Sequence, residues 1–180
     1  MSVDALELMK QRSRLTHEQI LKLVDGLTEE QLAWRPTPRA HSMGWTVWHL
    51  ARSADAFAAQ ATESEQIWAR ERLAAAWELP EALVGSNGLG TGVDDVTAAT
   101  LRPPSRDALL DYTRRSFAAL DEVVTALDER GIARERATLF FDEPAPLGRA
   151  LIASIGHDNR HLGELEYLKG LLGLRGSATR

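Results

Sequence analysis

The stretch Ser154–Gly173, SIGHDNRHLGELEYLKGLLG, decides how this chain is read. Ser154, His157, His161, Leu165, Leu168 and Leu172 recur at the three- and four-residue spacing of one helix face. Arg160 and Lys169 fall on the solvated side of the same helix. Side chains one helical turn apart have Cβ atoms about 5–6 Å from each other and point the same way. That geometry suits two imidazole nitrogens at about 2.0–2.1 Å from one divalent ion. The pair lies on the face that continues into apolar residues, where both nitrogens of an imidazole need partners; a metal and an outer acceptor supply them. H-x-x-x-H alone is a weak motif. Nor is it the metalloprotease motif, because Asp158 stands where a glutamate base is required.

Outward from this stretch, the last helix is predicted to start near Leu147 and to finish by Gly173. The segment PPSRDALLDYTRRSFAALDEVVTALDERG, residues 103–131, is the clearest helix of the chain. Ser105 is its cap, Leu109, Tyr112, Phe117, Leu120, Val124 and Leu127 form its apolar side, and Gly131 is expected to end it. At the other end, Asp4 to Asp25 carries Leu8, Met9, Leu15, Ile20, Leu23 and Val24 at mostly helical spacing, and Gly26 closes it. Thr28 and Gln31 match a capping box for a short turn, which Pro36 and Pro38 then interrupt. A second long helix should begin near Ser42 or Met43, with Trp45, His49, Ser53, Ala56 and Ala59 on one stripe, and should run on or resume through EQIWARERLAAAW.

Residues 78–104, rich in Gly and Pro, form a connection long enough to be functional, a crossover, or mobile. Its NGLGTG lacks the preceding strand and the lysine of a phosphate loop, so it reads as a flexible crossover. ATLFF has the look of a short strand, but no second strand is evident to pair with it. Four main helices and no sheet predict an all-α, four-helix bundle occupying residues 1–180 as one domain.

Composition narrows the chemistry. With 180 residues and 44% apolar content the chain has one substantial core. A net charge of -5, with basic residues interleaved among acidic ones, argues against a nucleic-acid or anionic-membrane partner. No cysteine is present, which removes disulfides, thiolate ligands and a cysteine nucleophile together. No apolar signal core or 18-residue apolar run occurs, so a soluble, cytoplasmic protein is expected.

Of five histidines, His49 is the one on the core stripe of the second helix, with the small Ser53 and Ala56 leaving volume beside it. His17, next to Glu18, is expected at the surface, and His41 is placed to cap the second helix. His49, His157 and His161 would make a three-nitrogen site with an open position, the arrangement in which zinc lowers the pKa of a bound water to about 7 or ionises a bound thiol. Glu164, three residues past His161, is placed to orient that ligand or to act as a base. Trp45, Trp48, Trp68 and Trp77 read first as core or dimer contacts, with one of them available to wall a pocket.

WTVWHLARSADAF in the second helix, together with HDNRHLGELEYLKGLLG in the last and the LTEEQLAWRP turn, resembles the DinB-like superfamily of bacterial four-helix bundles. The resemblance spans essentially the whole chain. It implies an up-down-down-up bundle with the long crossover between helices two and three, often a homodimer, and a divalent metal, zinc or nickel, on His49, His157 and His161. It also implies a reaction class. Characterised relatives include thiol-dependent transferases and isomerases that use mycothiol, bacillithiol or glutathione, and the Ala- and Arg-rich composition would suit mycothiol. Arg52 and Arg160 are then candidates for holding the anionic parts of a thiol cosubstrate. The leading expectation is a metal-dependent S-transferase acting on a small-molecule electrophile. The alternatives are a metal-dependent hydrolase with Glu164 as base, and a non-catalytic metal-binding stress-response protein.

Overall fold

In the computed structural model, which describes residues 4–80, 83 and 88–176, three of the four long helices start where a side-chain oxygen accepts from a free amide, and the fourth follows a proline. The Asp4 carboxylate accepts from the Leu6 amide at the head of α1 (Ala5–Val24), Ser42 accepts from Trp45 at α2 (Met43–Thr62), and Ser105 accepts from Ala108 at α3 (Arg106–Ala126). Pro146, whose ring fixes φ, leads into α4 (Leu147–Leu171). The Thr28–Gln31 capping box forms as predicted and closes the short turn Glu29–Ala33.

Contacts between helix ends give the topology. Lys10 and Arg14 of α1 reach Thr125 at the end of α3, while Arg106 at the start of α3 donates to the Leu27 carbonyl just beyond α1. These two helices are antiparallel. Arg12 bonds Asn159, and Lys169 donates to the Leu23 carbonyl, so α1 and α4 run together. His49 meets His157 in mid-helix and Gln60 meets Leu139 ahead of α4, so α2 and α4 are antiparallel. Hence α2 and α3 are parallel, and the bundle is up-down-down-up. A parallel pair of helices roughly 30 Å long obliges the chain to travel back along the bundle between them, and the long crossover supplies that return.

Helix α2 is the centre of the molecule, buried on almost every side. Glu63, in the left-handed conformation at φ 57°, ends α2 at Thr62. The Asp55 carboxylate accepts from the amides of Ile67 and Trp68, where the chain resumes as two separate turns, Ile67–Arg70 and Leu73–Ala76. Trp68 meets Trp48 and Trp77 edge to face, as Trp77 meets Tyr112, at 5.4–6.0 Å, Tyr112 lies tilted to Trp68 at 5.3 Å, and all four predicted tryptophans lie in the chain's own core.

Three expectations need correction. First, α3 does not run to Gly131; it ends at Ala126, and Asp128 caps a new turn, Glu129–Ala133, by accepting from the Gly131 amide. Second, ATLFF is not a lone strand but spans the turn of a hairpin. β1 (Glu135–Thr138) and β2 (Phe141–Pro146) form an antiparallel hairpin, with Glu135 opposite Pro146, Arg136 opposite Ala145, and Leu139 and Phe140 at the turn. The prolines of FDEPAP hid β2, yet both strands of a two-stranded hairpin are edge strands, where proline is tolerated. Third, α1 is rotated from its apolar pattern: Leu8 and Leu15 are about half exposed, while Ser13, Thr16 and His17 face inward. The partners of His17 account for that rotation.

Candidate metal centre

The predicted triad comes together. Two helices supply it, α2 with His49 and α4 with His157 and His161, and one ligand atom from each ring lies within 4.8 Å of the other two. Among the described residues this is the one cluster of three or more potential ligands.

What suits the cluster to a metal ion, beyond the packing of three rings, is the partner of each Nδ1. The His49 Nδ1 donates to the Leu89 carbonyl at 2.8 Å, the His157 Nδ1 to the Asp158 carboxylate at 3.0 Å, and the His161 Nδ1 to the Glu164 carboxylate at 2.6 Å. A carbonyl or a carboxylate only accepts, so each Nδ1 carries a proton, and in the neutral ring the Nε2 presents a lone pair. The Nε2 atoms of His49 and His157 face one another at 3.0 Å. Two lone pairs that close repel unless a positive charge sits beside them. Nitrogens about 2.0–2.1 Å from a tetrahedral ion stand roughly 3.3 Å apart, so the spacing fits a shared divalent cation. The acceptors behind the rings are the outer partners that metal-binding histidines usually have.

Electrostatics agree with the geometry. Burial, reinforced by the imidazoles of His157, His161 and His41, outweighs the hydrogen bond to the Leu89 carbonyl and pushes His49 down to about 4, so this ring is neutral at physiological pH. The hydrogen bond from His161 holds the Glu164 carboxyl below its ordinary value, as needed for an acceptor. Of the two roles expected for Glu164, orienting a ligand or acting as a base, its position is that of an orienting group.

Aromatic rings wall the cluster. Trp45 stacks flat on His49 at 5.1 Å, and His41 stacks on Trp45 at 3.8 Å, so His41 packs against a wall of the site while Ser42 caps α2 in its place. Phe140, from the hairpin turn, stands edge-on to His157 at 6.1 Å. The crossover closes over α2 from the other direction, giving the Leu89 carbonyl to His49 and the Gly88 carbonyl to Arg52. Gly90 has φ +78°, and a Cβ there would come within 2.7 Å of the Trp48 ring, so this part of the crossover is packed in place. Asn87 and the residues before it back to 84 lie outside the described residues.

The two arginines go elsewhere. The Arg52 guanidinium is buried and engaged by Asp55, Tyr112 and the Gly88 carbonyl, over the face of Trp68. Arg160 is exposed on the solvated side of α4. Neither is brought to the triad.

His17 overturns its surface assignment: it is 1% exposed and stacks on Phe117 at 4.2 Å. Its Nδ1 meets Asp121 at 2.8 Å, and its Nε2 faces Asp158 at 3.4 Å, an ion-pair distance without hydrogen-bond alignment. Burial alone would lower its pKa, but the two carboxylates outweigh it and raise the group to about 9. A signal for this was present in the sequence. The Ile20–Val24 stripe, extended backwards by helical steps, passes through His17 and Ser13. Because the folded pKa lies above the ordinary 6.5, the stabilisation is fully present below about pH 6.5 and fades as pH rises through about 9. With chelator present throughout, wild-type stability is expected to fall by on the order of 3 kcal/mol across that window. A His17→Gln variant should show no such slope in urea melts; a parallel slope in both proteins would refute the assignment.

No curated protein matches the chain. A conserved protein from Enterococcus faecalis is similar in structure, with TM-score 0.78 and 18% identity over 96% of this chain and 99% of the other. A DinB-like protein from Bacillus cereus gives TM-score 0.64 and 18% identity over 97% of both chains. YfiT from Bacillus subtilis, described as a probable metal-dependent hydrolase with an unusual four-helix bundle topology, gives TM-score 0.61 and 15% identity over 97% of this chain and 92% of its own. At these identities the structures speak for the fold. The sequence model of the DinB superfamily matches residues 13–165, from α1 to beyond the second histidine of α4, and the chain belongs to that superfamily.

Proposed function

We propose that this protein is a metal-dependent enzyme that activates a low-molecular-weight thiol for transfer to an electrophile. The observation that carries the proposal is the convergence of three Nε2 lone pairs, each fixed by an acceptor behind its ring. Three protein ligands leave a place for an exogenous one. A divalent ion held by His49, His157 and His161 would supply the Lewis acidity that makes a thiol nucleophilic at neutral pH. The chain's own residues do the rest. Leu89, Asp158 and Glu164 hold the imidazoles in register, Trp45 and Phe140 keep water from the flanks, and the partial exposure of His157 and His161 leaves a way in. With no cysteine in the chain, the sulfur comes from the cosubstrate. Its bond to the electrophilic carbon forms as the leaving group departs with its electron pair, and the thiol proton passes to solvent.

The description of YfiT favours a second reading, hydrolysis, with water in the place of the thiol. Glu164 is less suited to be the base of that reaction, since it is engaged at 2.6 Å by His161. One experiment separates the two. Zinc- or nickel-loaded protein is given an activated aryl halide with and without a small thiol, and in parallel an activated ester without thiol. Thiol-dependent turnover above the protein-free rate is the expected result. Ester cleavage without thiol would replace it with the hydrolase, and silence in both would leave a metal-binding protein without these activities.

A further inference from the structure

We propose that His17 is a positioning residue for the metal ligand His157, acting through Asp158. The proposal rests on the metal-centre reading and adds to it a residue from a helix that contributes no ligand. Asp158 is 4% exposed and has each carboxylate oxygen committed: Oδ1 accepts from the His157 Nδ1 at 3.0 Å, and Oδ2 faces the His17 Nε2 at 3.4 Å. His17 is itself held from behind by Asp121 of α3 and is stacked flat against Phe117 of the same helix. The line Asp121–His17–Asp158–His157 therefore crosses three helices and ends on a ligand.

The physical reason is orientational. A carboxylate next in sequence to the histidine it serves has several rotamers open to it, and only some of them offer an oxygen to that ring. The second oxygen, anchored on α1, selects among them. The stacking and the Asp121 bond leave His17 little freedom of its own, so its position transmits to Asp158 and from there to the direction of the His157 Nε2 lone pair. This also accounts for the inward rotation of α1, which exposes Leu8 and Leu15 in order to bury an imidazole.

The test uses the full-length protein, with zinc affinity read by competition with a chromogenic chelator and ligand geometry read from the visible absorption of the cobalt-loaded form. His17→Phe keeps the ring volume and removes both nitrogens; it should weaken zinc by about 10–100-fold and alter the cobalt bands. His17→Gln, whose amide reaches towards Asp158, should recover most of the affinity, and His17→Asn, too short to do so, should not. Leu6→Ala, a buried residue about three turns from His17 on the same helix, serves as the control for loosened packing and should leave zinc affinity and cobalt bands unchanged despite a lower melting temperature. Wild-type affinity in His17→Phe would overturn the proposal, as would equal losses in the Leu6→Ala control. If His17→Phe does not fold, the Gln and Asn variants decide, and equal affinities for them overturn it. A wild-type protein that takes up no zinc fails the metal-centre reading itself, an outcome distinguishable from all of these.

Discussion

His49→Ala is expected to strip the protein of its metal. His157 and His161 remain as a pair on α4, but the ligand from the facing helix, the most enclosed of the three, is gone. The loss should exceed the roughly 10–100-fold expected from removing an outer partner of a ligand, because here a ligand itself is removed. Elemental analysis after desalting should find near-stoichiometric transition metal in the wild type and essentially none in the variant. A second readout guards against a folding artefact. A ligand that binds only the folded state stabilises it by about 2.7 kcal/mol at a hundredfold excess over its Kd, so added zinc should raise the wild-type melting temperature and leave the variant's unmoved. In chelator the two proteins should differ modestly, by about 1–3 kcal/mol, because the variant gives up the hydrogen bond from His49 to the Leu89 carbonyl. A variant that still holds metal and still melts later in zinc would sink the triad.

The largest loss of stability is expected away from the metal, at Asp55→Ala. Asp55 gives one oxygen to the Ile67 amide at 2.8 Å and the other to the Trp68 amide, the Tyr112 hydroxyl and Arg52, all within 3.3 Å. Its removal leaves the Arg52 guanidinium charged, enclosed and without its counter-ion, and it uncaps the chain where α2 gives way to the next turn. Breaking a buried pair from one side costs about 3–5 kcal/mol, a large part of a typical domain's total of about 5–15 kcal/mol. Tyr112→Phe takes away a single hydroxyl from the same cluster and should cost only about 1 kcal/mol. Urea midpoints of the two variants, compared at constant slope, check the ranking. Equal costs would mean that Asp55 is not the keystone of this cluster.

The contrast between these two sites shows what the sequence made legible. Local signals carried far. Ser42, Ser105 and the Thr28–Gln31 pair each mark a helix start because a side-chain oxygen must sit at a fixed offset from the amide it accepts, and such offsets are visible in one dimension. The triad was readable for a similar reason: His157 and His161 share a turn, and His49 lay on the apolar stripe of another helix. The pairing of helices was not available this way, and the up-down-down-up order came from family resemblance. Groups whose partners are remote were misplaced. His17 looked like a surface residue because Asp121 and Asp158, more than a hundred residues away, are what make its burial possible. Arg52 looked like a ligand-binding cation because its i+3 neighbour Asp55 was legible but the enclosure by Trp68 and Tyr112 was not. β2 was obscured by prolines that only an edge strand accommodates.

The way His49 is aimed has a consequence for how this protein tolerates change. Its acceptor is a main-chain oxygen, at Leu89, in a segment threaded between Trp45, Trp48 and Arg52. Exchanging the Leu89 side chain for another apolar one leaves that oxygen where it is. Lengthening the crossover by a residue nearby, or adding a methyl group at Gly90, moves it. Spelling is thus nearly free at position 89 and the course of the chain is not, so one imidazole of the triad is governed by the contour of a loop that contributes no histidine to it.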